Sequence, residues 1–465
     1  VLADGRRGLG RRFGWGLADQ AVSSLTNFAV SLYVARTLGA VQFGAFSLAY
    51  VTYSLVLNAS RGLATDPLVV RFSGVSTTAW RRAVAASTGT AAAVGLAAAA
   101  GLLAASLALT GTARAAFIAM GITMPGLMLQ DSWRYAFFAH GRGGHAFLND
   151  TIWAAAMAPA LLALRLSGHE TVFWFVLAWG TAATIAAAAG PLQARVIPRL
   201  THARAWITTH RDLAFRYLAE NTTFSGSAQL RLTFVGVIAG LAAVGYVQAA
   251  QLVMGPFLAA LMGISLVTVP EAARVLRHSP RHLRVFCLLV GSVLAVAAAA
   301  WGVAAHLVLP LGIGHVALRS LWRPANQLIL PVTVSVIGTC GTVGASAGLR
   351  ALGSSRRSLR AMIISSTAAV IASVLGALSA GAIGTVRGMA IAGGFSALVW
   401  WWQLQAALRE SRIAKQAALR RPDRSAGRHR AGDPATPKPA PDQRLPGQPS
   451  RHPVPRPLWS GEWRS

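Results

Sequence analysis

Between residues 13 and 407 the chain alternates long apolar runs with short polar breaks that are rich in arginine. A bilayer core takes about 20 apolar residues per helix, and roughly a dozen runs reach that length. They predict spans near 13–34, 41–64, 83–109, 115–138, 148–164 and 172–189, and then 217–239, 243–269, 285–307, 326–349, 361–380 and 388–407. Pro125 predicts a kink in the fourth. The fold class expected from this pattern is an all-α polytopic membrane protein of about 12 transmembrane helices.

Composition agrees. Of 465 residues, 54% are hydrophobic and 12% charged, with a mean hydropathy of +0.50. The net charge of +29 invites a nucleic-acid partner, but the arginines lie in short loops and in the tail, where a positive-inside bias puts them. No nucleic-acid role is therefore expected. Counted over alternate loops, the basic excess on the side of the first residues is about threefold, which predicts both termini in the cytoplasm. Arg6, Arg7, Arg11 and Arg12 read as a basic flank to the first span, not as part of a cleavable signal. Cys287 and Cys340 fall inside apolar runs, and the histidines show no metal-ligand spacing. No nucleotide-binding loop, zinc-protease motif or nucleophile elbow occurs, so no enzyme activity and no metal or catalytic residue is expected. Residues 195–216 form a basic segment whose spacing allows a short surface helix. From 409 onward the chain turns rich in proline and arginine, which predicts a disordered cytoplasmic tail.

The two halves resemble each other. Leu17-Ala18-Asp19-Gln20 recurs as Leu218-Ala219-Glu220-Asn221, and the same register pairs Ser24 with Ser225, Val34 with Val235, Gly39 with Gly240 and Gly44 with Gly245. Identity is about one in five, but an acid and two glycines keep their places. The expected division is an N-terminal lobe at 1–194, a basic linker at 195–216, a C-terminal lobe at 217–408 and the tail at 409–465. Two such lobes of six helices each, related by pseudo-symmetry, place a transport path at their interface.

Charged residues inside spans are costly and mark function or a buried partner. Asp19, Ser23, Asn27 and Ser31 recur every fourth residue of span one, on one face. Glu220, Ser227 and Arg231 share a face of span seven. Arg231 lies mid-span, too deep to snorkel, so it either lines a cavity that takes an anion or pairs with an acid on a neighbouring helix. Arg61 lies near the end of span two, where either role or snorkelling fits. In span four, Asp131 and Arg134 are spaced to pair with each other, with Gln130 beside them and Asn149 and Asp150 opening span five.

The stretch LADQAVSSLTNFAVSLYVARTLGAVQFGAFSLAY, with its Ala35-Arg36-x-Leu38-Gly39-x-x-x-Phe43-Gly44 core, resembles the opening of Wzx-type polysaccharide flippases of the multidrug/oligosaccharidyl-lipid/polysaccharide (MOP) exporter superfamily. LATDPLVVRFS and residues 129–153 resemble segments of actinobacterial polysaccharide biosynthesis proteins of that group. The match covers the first third of the chain, and Asp66-Pro67 departs from the Glu-Pro of the pattern. The resemblance implies a MATE-like pair of six-helix lobes around a V-shaped cavity in a bacterial plasma membrane. The implied activity is alternating-access movement of a polyprenyl-pyrophosphate-linked oligosaccharide from the inner to the outer leaflet. Arg231, Arg61, Arg134 and Asn27 would bind the substrate, and Asp19, Glu220 and Asp131 would couple or gate it. No cofactor is implied beyond coupling to a proton or sodium gradient. Partners would be the lipid-linked substrate, membrane lipids, a polysaccharide polymerase and glycosyltransferases. The competing expectations are a drug/cation antiporter of the same superfamily, with a net acidic, aromatic cavity, and a non-transport membrane scaffold in a polysaccharide export assembly.

Overall fold

A computed structural model describes residues 2–278 and 282–420, all helical apart from short connections. Residues Val1–Ser411 form one compact unit and Arg412–Ser465 a second, to which the described residues contribute only the end of the last helix. In order, the helices are α1 (Leu2–Thr37), α2 (Ala40–Ser60), a π-helical turn (Arg61–Thr65), α3 (Asp66–Phe72), α4 (Thr77–Leu107), α5 (Gly111–Ala139), α6 (Gly143–Ser167) and α7 (Val172–Ala194). The second half holds α8 (Ala203–Thr209), α9 (Arg211–Val253), α10 (Gly255–His278), α11 (Leu283–Val308), α12 (Ile313–Leu318), α13 (Trp322–Ala351) and α14 (Ser355–Arg420). The chain reverses inside α9 at Gly240 (φ 84°) and inside α14 at Ala380–Gly381 (φ 57° at the glycine). With those reversals it makes about twelve crossings in two lobes of six, and the described residues contain no strand. The face of the membrane where α1 begins is called the near side below, and the opposite face the far side.

The helices are apolar all round because two solvents surround them. Inward faces bury Trp80, Trp133, Phe137, Phe175 and Met254 at under 2% exposure. Outward faces leave Val237, Leu398 and Ile391 more than 70% exposed, a cost in water but none in hydrocarbon. α5 runs unbroken through Pro125.

The repeat is visible in contacts. A Cβ on Gly44 would lie 1.9 Å from the Leu241 carbonyl oxygen, and a Cβ on Gly245 would lie 2.2 Å from the Ala40 carbonyl oxygen. Gly44 and Gly245 are 201 residues apart (245 − 44), and so are Ala40 and Leu241 (241 − 40), so each contact is the other's image. At the far side, therefore, α2 and its counterpart after Gly240 cross about a pseudo-twofold at backbone distance, which only glycine permits. The seam between α2 and α9 stays tight to the near side, where a Cβ on Gly62 would lie 2.5 Å from the Leu218 amide nitrogen. Of the paired turn glycines, Gly240 needs its residue type for a positive φ, whereas Gly39 is extended (φ −71°, ψ 170°).

Two segments add to the expectation. The short surface helix expected within residues 195–216 is α8 (Ala203–Thr209), and the segment around it is held to the first lobe on one side. The Arg199 amide donates to the Ala85 carbonyl at 2.8 Å, and the α8 side chain Trp206 is buried. His210 is buried too, its ring 4.1 Å from that of Trp206 and 5.8 Å from that of Phe72. Burial pushes its pKa below the usual 6.5; the Trp206 carbonyl opposes this, and the Arg71 cation adds to it. An unfolded chain then binds this proton more readily, so the stability His210 confers is full above pH 6.5 and is lost as pH falls through it. The melting temperature of wild type is expected to drop from pH ~8 to pH ~5 by more than that of His210→Gln, and an equal drop would remove His210 as the cause. In the second segment, α14 continues as helix to Arg420, past the change of composition at 409, while the expected tail at 421–465 lies outside the described residues.

Candidate functional site

The polar residues of the first lobe converge in its near-side third. Arg61 opens the π-turn and grips Asp131 of α5 with two bonds, Nε to Oδ2 at 3.0 Å and Nη2 to Oδ1 at 2.7 Å. Its guanidinium also sits 5.0 Å from the centre of the Tyr135 ring. Arg134, one turn along α5, bridges two other helices. Its Nε donates to Asp19 Oδ2 of α1 at 2.6 Å and lies 3.5 Å from Asp150 Oδ2 of α6, and its Nη2 donates to Gln20 Oε1 at 3.2 Å. Gln130 donates to Asp150 Oδ1 at 2.7 Å. Asn149 donates to the Ala186 carbonyl at 2.8 Å and to Gln193 Oε1 at 2.9 Å, both on α7.

This network corrects the local pairing expected within span four. Asp131 and Arg134 do share a face, but each is matched by a residue from another helix, Asp131 by Arg61 and Arg134 by Asp19 and Asp150. The reason is desolvation. Asp19 is 0% exposed and Asp150 3%, and carboxyl groups so buried need a cation or a proton to offset their charge. An exclusive pair between Asp131 and Arg134 would strand both. The network holds three carboxylates (Asp19, Asp131, Asp150) against two guanidiniums, 2 − 3 = −1, and Asp19 Oδ1 and Asp150 Oδ2 remain buried without a hydrogen-bond donor.

The polar stripe of α1 belongs to this lobe's interior. Asn27 accepts a bond from Trp179 Nε1 of α7 at 3.3 Å and donates to the Ser23 carbonyl at 2.9 Å, so neither Asn27 nor Asp19 is free to face the second lobe. Trp179 in turn packs on Tyr50, Tyr53 and Trp153, with ring centres 4.9 to 5.8 Å away. Across the near end of the seam, Asn221 donates to Asp66 Oδ2 at 2.8 Å and Arg71 pairs with Asp212 at 2.6 Å.

The second lobe's candidates behave differently. Glu220, the repeat partner of Asp19, is exposed and makes no ion pair among the described residues. Arg231 is half-buried in mid-span, takes part in no ion pair among the described residues, and has a buried Nε without a hydrogen-bond partner. Of the three arginines expected to bind substrate, two are thus already neutralised in one cluster and the third stands apart. Asp150, Gln130, Asn149, Gln193 and Tyr135 complete the cluster without having been assigned to a site from the sequence. Their shared signal is depth: each lies within about three turns of the same membrane face.

No protein-family model matches the chain, and no curated protein sequence matches it. Solved structures do. A multidrug resistance MATE family transporter of the MOP superfamily in its inward-facing conformation superposes with a TM-score of 0.68 at 14% identity, covering 83% of this chain and 96% of its own. An outward-facing conformation of such a transporter gives 0.56 at 14% identity, with 87% and 96% covered. The lipid II flippase MurJ, inward closed, gives 0.63 at 10% identity, with 86% and 91% covered. The chain is a multi-pass integral membrane protein with the two-lobed fold of the MOP-superfamily transporters.

Proposed function

We propose that this protein is a flippase that moves a polyprenyl-pyrophosphate-linked oligosaccharide from the inner to the outer leaflet by alternating access. In this reading the near side is cytoplasmic, as the arginine bias of its loops indicates. The observation that carries it is Arg231, a guanidinium held at mid-membrane without a carboxylate partner among the described residues and with an unbonded buried Nε. Such a group is stabilised by an anion, and its fork of donors suits a pyrophosphate. That a lipid II flippase shares the fold adds support. Arg61 and Arg134 then act indirectly, releasing or holding the acids of the first lobe. The unmatched carboxylate there is a place for one proton, shared between Asp19 and Asp150, which links transport to a gradient.

The test is a vesicle assay with a fluorescent polyprenyl-pyrophosphate oligosaccharide, scored by accessibility to an outside reagent. Arg231→Ala is expected to slow flipping about tenfold to a hundredfold, the loss of a charged hydrogen bond or two, while Arg231→Lys retains part of the rate. In the same vesicles a pH gradient should accelerate wild type and leave Asp19→Asn unmoved. Unchanged flipping by Arg231→Ala at equal protein level would overturn the reading.

A second reading has its own observation. The excess carboxylate and the Tyr50, Tyr53, Trp153 and Trp179 cluster are what a drug/cation antiporter needs. It predicts efflux of an organic cation that Arg231→Ala leaves intact or raises.

A further inference from the structure

The eighth crossing is broken. α9 ends at Val253 and α10 starts at Gly255, with Met254 as a turn between them and Pro256 lacking an N–H to offer. The break falls inside the segment that crosses the membrane, where irregular backbone survives only if protein covers it or it lines a cavity. Both conditions hold. Trp301 Nε1 of α11 donates to the Val253 carbonyl at 3.1 Å. Beside that bond lies a cavity of about 340 Å³, within the size range of ligand sites. Phe28 and Leu32 of α1 form one wall, and Pro256, Trp301, Ala304 and Trp322 stand among the residues opposite. Phe28 reaches in because residue 255 is glycine, whose Cβ would lie 2.9 Å from Phe28 Cε2. Every lining residue is apolar, and Trp301 and Ala304 are exposed at its mouth, on the hydrocarbon side.

The far rim has a second character. The connection from α11 to α13 leaves Leu311 80%, Val316 62% and Ile313 54% exposed, so it sits within the apolar part of the far leaflet. At its end stands Arg319, and Arg323 follows on α13, both exposed and outside every ion pair among the described residues. Arg319 adopts φ 45°, a conformation uncommon for a residue with a side chain. A dry slot at hydrocarbon depth with two unpaired cations at its headgroup end fits a lipid that has an apolar chain and a phosphate.

We propose that this cavity is the far-leaflet docking site for the polyprenyl chain of the transported lipid, with Arg319 and Arg323 meeting its phosphates. The proposal rests on the flippase reading above. The occupant is the carrier lipid, not a bulk phospholipid, because the slot is not on the outer rim of one lobe. It joins α1 to the second lobe, so it lies at the interface between lobes, where a transport path of this plan runs.

The experiment uses the full chain in nanodiscs. One sample contains polyprenyl phosphate with a diazirine on its chain, and a second contains phosphatidylglycerol with a diazirine on its acyl chain. After irradiation, adducts are mapped by mass spectrometry. Polyprenyl adducts are expected on Phe28 and on residues 301–309, and unlabelled polyprenyl phosphate should compete them away. Ala304→Phe, which fills the mouth at an exposed position, should lower them about tenfold. Arg319→Ala with Arg323→Ala should weaken labelling by polyprenyl phosphate but not by uncharged polyprenol. Absence of these adducts in the unaltered protein, or equal labelling by phosphatidylglycerol that survives competition, overturns the site. If Arg231→Ala stops flipping while the cavity stays unlabelled, only the docking site fails. If the cavity is labelled and competed but no headgroup is flipped, the flippase reading fails and the polyprenyl site stands.

Discussion

Arg134→Ala is expected to cost about 3–5 kcal/mol of stability, the loss found when one partner of a buried ion pair is removed. The Arg134 side chain is 13% exposed and the two carboxylates it bridges 0% and 2%, so solvent screens little of the effect. The substitution would leave Asp19 and Asp150 facing each other in a dry core with two unbonded oxygens already present. Thermal unfolding in detergent checks this, with a large fall in midpoint or loss of folded yield as the expected result. Arg134→Met combined with Asp19→Asn and Asp150→Asn should recover most of the loss, because the charges leave together. Equal midpoints for Arg134→Ala and wild type would show that the bridge carries no stability.

Gly44→Val should fail at the seam. Its first side-chain carbon would lie 1.9 Å from the Leu241 carbonyl oxygen, an overlap with backbone that no rotamer relieves. Overpacking of this kind costs about 1–3 kcal/mol or more. Here the strain falls on a contact between lobes, so the lobes can escape it by separating at the far side. Spin labels at the far ends of α2 and α9 should therefore report a longer distance, and transport should fall. Gly245→Val should act alike, since its contact with Ala40 is the image of the first. Gly39→Ala is the control: nothing lies within 4 Å of its added carbon. Unchanged distance and transport in Gly44→Val would show that Gly44 and Leu241 do not meet at backbone distance.

The apolar runs made the crossings and their order legible, because length and hydropathy are one-dimensional properties. The repeat register also foretold which glycines matter, though Gly44 and Gly245 serve for closeness and Gly39 does not need its residue type. Partner choice was not legible. Spacing along α5 suggests that Arg134 meets Asp131, but burial of Asp19 and Asp150 decides the match, and burial is set by helices far apart in sequence. The expected symmetry of Asp19 and Glu220 also fails, one being wholly buried and the other exposed. The far-side segment from 309 to 321 went unread because it is apolar without being long enough to cross.

The π-turn at Arg61–Thr65 closes on one residue more than the α-turn it replaces. That extra residue is slack stored in an otherwise continuous rod. Passing it one position along the rod swaps one set of backbone bonds for another and never breaks the helix. Each such step swivels the side chain it passes through roughly 100° about the rod's axis. Arg61 stands at the first position of the turn, where a single step would swing it off Asp131, uncapping an acid without unwinding anything.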